Sequence, residues 1–124
     1  MSNNDSSECV GGPKLIFACS GAADVGAITD RAARKIATEG LGKMFCLAGI
    51  GGRIPGIMKT TESASRILAI DGCELDCVNS CLRQAGFAEF EHLRVTDLGM
   101  QKGQTAMTDE NVAKVVQKCT VLLG

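Results

Sequence analysis

Three apolar runs in this chain each stop at a cysteine, and that recurrence constrains the fold more than any other feature. Lys14 to Cys19, Lys43 to Cys46 and Arg66 to Cys73 end on thiols spaced 27 residues apart at each step. A step of that length accommodates one strand, a loop, a helix and a second loop. Short continuous apolar runs read as strands buried on both faces, the habit of a parallel sheet. If the three runs are neighbouring parallel strands, their thiols fall at one edge of one sheet. A fourth thiol, Cys77, lies one helical turn beyond Cys73.

The intervening segments fit this scheme. Asp24 reads as the N-cap of a helix to about Glu39, in which Val25, Ile28, Ala32 and Ile36 form an apolar stripe and Gly40 ends the helix. The second strand is expected over Gly42 to Ala48, followed by a glycine-rich loop from Gly49 to Gly56 and a short helix around Thr60 to Ser65. Arg66 to Ile70 reads as the third strand, and Asp71 is placed to cap a helix from about Glu74 to Gln84. Phe90 to Val95 reads as a fourth strand at the sheet edge, and Gly99 to Ala106 as a mobile polar loop. Thr108 caps a last helix from Asp109 to about Lys118, with Val121 to Leu123 as a short extension. The expected fold class is therefore α/β: a three-layer sandwich with a mostly parallel four-stranded sheet and helices on both faces. In such sheets, functional groups gather at the carboxyl ends of the strands. Met1 to Gly12, polar and acidic, reads as a flexible tail, which leaves 13–124 as a single domain.

Composition narrows the function classes. The chain has 124 residues, 45% of them hydrophobic, enough for one core; with no Trp or Tyr and four Phe, that core must be mostly aliphatic. Thirteen basic and 14 acidic side chains give a net charge of −1 with no long run of one sign, which argues against nucleic acid as a partner. No apolar stretch reaches the roughly 18 residues of a bilayer span, and the first residues are unlike a signal peptide. The expected compartment is the cytoplasm, where structural disulfides are rare. Seven cysteines are an odd number, and clustered cytosolic cysteines point to metal binding or redox chemistry.

Zinc takes four ligands in a tetrahedron, and thiolate sulfur is among its preferred donors. Cys73 and Cys77 have the spacing for a loop residue and a first helical turn to grip one ion, and Cys19 and Cys46 would supply the other two ligands. Four thiolates suit iron or an iron–sulfur cluster as well. A different class is a thiol redox or sulfur-transfer enzyme, with Cys73 activated at a helix start and Cys77 resolving. The remaining candidates have plainer readings. Cys81 reads as a semi-buried helix residue, Cys119 as core, and Cys9 as an exposed tail thiol. Asp71 and Asp24 read as helix caps before ligand-orienting groups or bases, and His92 as a surface residue away from the cysteine edge. Arg53 is the one charge in the Gly49 to Gly56 loop, available to offset thiolate charge. Dinucleotide, Walker and thiol-phosphatase loops are excluded, because their glycine, lysine and arginine positions are unfilled.

The segment from Ile70 to Cys77, followed by Leu82 to Phe87, resembles the central signature of the DGC-domain family, named for its Asp-Gly-Cys tripeptide. Cys19 to Gly21 with Asp24, and Cys46 to Gly51, match that family too, so the resemblance runs from about Lys14 to Leu122. Members of the family are proposed to bind zinc through four cysteines of chelating potential. Those four map onto Cys19, Cys46, Cys73 and Cys77. The resemblance thus implies a metal ligand set and no known reaction.

Overall fold

The computed structural model describes residues 11–124. Cys9 and nearly all of the tail expected over Met1 to Gly12 lie outside them. The element order is β1 (Lys14–Ala18), α1 (Asp24–Thr38), β2 (Lys43–Met44), α2 (Leu47–Gly51), α3 (Pro55–Glu62), β3 (Arg66–Asp71), α4 (Cys77–Gln84), β4 (Glu91–Arg94), a 3-10 turn (Val95–Leu98) and α5 (Asp109–Leu123). Four strands pair in the order β2-β1-β3-β4, and every pair is parallel.

Strand alternation divides the core into two layers. Ile16 and Ala18 of β1, with Leu68 and Ile70 of β3, face α1 and α5, where Ile28, Ala32, Val115 and Cys119 complete one apolar cluster. Leu15 and Phe17, with Ile67 and Ala69, face the other way and pack with Ile50, Val78 and Leu82. Both faces are covered, so the central strands read as unbroken apolar runs, and the expected three-layer sandwich stands.

Three boundaries differ from the sequence reading. The second strand has two residues and gives way at Cys46 to helix α2, and the apolar run Phe45 to Ala48 is too short for periodicity to separate the two states. Helix α3 begins at Pro55, which supplies a preset φ at the first helical position, so that α2 and α3 together take most of the expected glycine-rich loop into helix. Helix α4 begins at Cys77 because Asp76 adopts a left-handed conformation (φ 55°) that interrupts helix before it.

Candidate functional site

From β1 the chain crosses one face of the sheet by α1 to reach β2, then the other face by α2 and α3 to reach β3. The carboxyl ends of β1 and β3 therefore flank the topological switch point, where α/β sheets form their crevice. A cavity of about 370 Å³ opens there, lined by Cys19 and Gly21 after β1 and by Cys73 and Cys77 after β3, with Asp71 and Lys102. A second, more open cleft of about 760 Å³ lies beside it, lined by Cys19, Cys46 and Cys81 with Arg34. Cys19 borders both. Three of the four predicted ligands thus line one cavity, and Cys46 reaches the neighbouring one. All six described cysteines are free thiols. Among the described residues, the one set of three or more His, Cys, Asp or Glu side chains with ligand atoms mutually within 4.8 Å is Asp71, Asp76 and His92. No three of the described thiols meet that spacing.

Asp71 ends β3 almost fully buried, at 1% exposure, and its carboxylate is fully employed. Oδ1 accepts the N–H of Val78 at 2.7 Å, and Oδ2 accepts the N–H of Asn79 at 3.1 Å. The expected cap is therefore real, delivered from the strand end to a helix that starts three residues later than the sequence suggested. His92 donates Nε2–H to Asp71 Oδ2 at 2.8 Å, and its side chain is 27% exposed. This corrects the surface reading of His92. The parallel register pairs Ala69 with His92 and Asp71 with Arg94, which turns both β4 side chains toward the start of α4. Arg94 then grips Asp76 with two bonds, Nη2 to Oδ2 at 2.6 Å and Nε to Oδ1 at 2.9 Å. That pairing holds the Asp76 carboxyl below the ordinary carboxylate range.

The family model for the DGC domain matches residues 15–119. The chain belongs to the DGC-domain family. It is 35% identical over 88 residues to the anaerobic and virulence modulator AnvM of Pseudomonas aeruginosa, an alignment covering 71% of this chain and 67% of that protein. No solved structure matches the chain.

Each member of the DGC tripeptide has a physical task here. Asp71 caps α4. Gly72 leaves room for the amino end of α1, since a Cβ there would meet Val25 and the Gly26 nitrogen at 3.1 and 3.2 Å. Cys73 lines the cavity. The helix start belongs to Cys77 and not to Cys73, contrary to the thiol-enzyme reading of the sequence. Partial desolvation, followed by the negative charge of Asp71 and the neighbouring thiols Cys19, Cys73 and Cys81, pushes the Cys77 thiol up. Cys19 Sγ lies 3.5 Å from Thr29 Oγ1, which also accepts the Ser20 N–H at 3.1 Å and so fixes the turn after β1.

Three other residues of this DGC chain are placed by the structure. Asp24 occupies the first position of α1, whose N-cap is Ala23; its carboxylate accepts the Val25 N–H and two amides of the loop at Gly103 and Thr105. Arg53 donates to the carbonyls of Ile50, Gly51 and Gln84, which ties it to the end of α4 and away from the thiols. Cys119 is fully buried. Among the described residues, no helix is long and apolar enough to cross a membrane.

Proposed function

We propose that this protein binds one zinc ion through Cys19, Cys46, Cys73 and Cys77, in a structural, carrier or regulatory role. The observation that carries the reading is the convergence of Cys19, Cys73 and Cys77 on one cavity at the switch point, with Cys46 in the cleft beyond Cys19. The donor chemistry fits. An all-sulfur set is soft and suits zinc, and the free thiols leave every donor available. The Asp71, Asp76 and His92 group is the alternative ligand set, but its carboxylates already accept two backbone amides, His92 and the Arg94 fork. A closed four-thiolate site has no open position for a substrate, so the role it supports is not catalytic. The name of the Pseudomonas relative, a modulator, supports the regulatory form.

Elemental analysis of protein expressed without added metal tests this. Close to one zinc per chain is expected, with loss of the ion after Cys→Ser at any of the four positions and a fall in Tm on chelation. Protein without stoichiometric metal in which Cys19, Cys46, Cys73 and Cys77 all react freely would overturn the reading. A second reading is a thiol redox or sulfur-transfer enzyme using Cys73 and Cys77, favoured by their sharing one cavity as free thiols. In that case one thiol outpaces the rest near neutral pH in metal-free protein.

A further inference from the structure

We propose that Lys102 belongs to the thiol centre as a fixed positive charge, held against Cys73 by a latch on Asp24. The proposal deepens the metal-binding reading, and one arm of its test is independent of that reading.

Asp24 is the starting point. As a helix cap it does little, because it lies one position inside α1 and bonds only the adjacent Val25 amide within the helix. Its other bonds go to a segment about 80 positions away in the chain: Oδ1 accepts the Gly103 N–H at 2.8 Å and Oδ2 accepts the Thr105 N–H at 3.0 Å. Two amides on one carboxylate fix the position and tilt of that loop. The residue beside Gly103 is Lys102, and its Nζ lies 3.7 Å from Cys73 Sγ. Lys102 is also the one basic side chain lining the cavity, whose other charged members are Asp71 and Asp76.

The charge balance explains why such a residue is needed. Four thiolates around a divalent ion retain about two negative charges, in a crevice walled by apolar groups where charge is poorly screened. The charged groups of Asp76 and Arg94 are already paired with each other. Arg53 is bound to the end of α4 and Arg34 to Asp30. Lys102 supplies the missing cation. Its side chain is otherwise exposed, so the electrostatic contact is not secured by packing and depends on the loop position that Asp24 sets. Asp24 is thus a positioning residue.

The test uses full-length protein and the variants Lys102→Gln, Asp24→Asn and the double. The first arm alkylates metal-free protein with iodoacetate and with iodoacetamide at one pH and follows Cys73 by peptide mass spectrometry. An ammonium beside the sulfur favours the anionic reagent. The iodoacetate-to-iodoacetamide rate ratio at Cys73 is expected to fall by about fivefold to tenfold in Lys102→Gln, by a smaller factor in Asp24→Asn, and no further in the double. A loss of general stability would not move that ratio. The second arm measures zinc affinity at low salt, where Lys102→Gln is expected to weaken binding about tenfold, and less so at high salt. An unchanged ratio in both single variants overturns the proposal. If the parent protein binds no zinc, the metal reading falls, and the alkylation ratio still decides the place of Lys102.

Discussion

Cys119 and Cys77 carry the same group in opposed settings. Cys119 is buried against Val112, Val115 and Val116, and burial alone pushes its thiol up to about 12. Cys77 stands exposed at the crevice beside three other thiols. A buried thiol behaves as a small hydrophobe. Cys119 is therefore expected to resist alkylation in native metal-free protein and to react only on unfolding, whereas Cys19, Cys46, Cys73 and Cys77 react in the native state. Pulse alkylation with mass spectrometry checks this, and rapid native labelling of Cys119 would contradict it. The burial of Cys119 was legible from the helical period of its valine neighbours. Which thiols share a cavity was not, since that depends on strand order.

Among the elements, the junction of β3, β4 and α4 is the one that the sequence disclosed least. β4 contributes a single buried side chain, Leu93, so hydrophobic patterning marks it as a weak edge strand and leaves His92 unexplained. The register supplies the explanation, because pairing Ala69 with His92 turns the imidazole onto Asp71. Removing it takes one of three hydrogen bonds from a buried carboxylate. His92→Ala is expected to cost about 1 kcal/mol, measured by urea unfolding, with Asp71 keeping its two amide partners. A change below a few tenths of a kcal/mol would show that solvent replaces the imidazole without loss. Helix α2 was hidden for a different reason: its apolar run is too short for periodicity to decide, and packing selects helix, with Gly49 against Ile57 of α3 and Ile50 against Val78 and Leu82 of α4.

At the level of the whole molecule, the loop before α5 is joined to the opposite end of the chain by Asp24. The amides of Gly103 first, then Thr105 and Val25, hold the Asp24 carboxyl below its ordinary value of 3.8. A carboxyl depressed on folding stabilises above its unfolded pKa, and the contribution is lost as pH falls through the lower folded value. The Gly103 and Thr105 amides are therefore expected to stay protected from hydrogen exchange above about pH 4 and to lose that protection on further acidification. In Asp24→Asn the protection should be weaker and its acid step absent. Amide exchange by NMR makes the comparison, and identical acid profiles in the two proteins would refute the latch. The sequence presented Gly99 to Ala106 as a mobile polar loop because it carries no apolar period; Met100 in the core, a turn closed by Thr105 on Gln101, and Asp24 of α1 restrain it.

Some of this is decided by residue order alone. Apolar runs that end at Cys19 and Cys73, turn residues behind them and helical periods between them point together to a parallel α/β layer structure, because strands covered on both faces read that way. The tertiary structure decided the rest. Strand order and register brought Cys19 and Cys73 to one cavity and turned His92 and Arg94 toward α4, and the bonds from Asp24 to the Gly103 and Thr105 amides hold the loop that carries Lys102. Those contacts join positions 18 to about 80 residues apart, and their energies depend on geometry that no local pattern encodes.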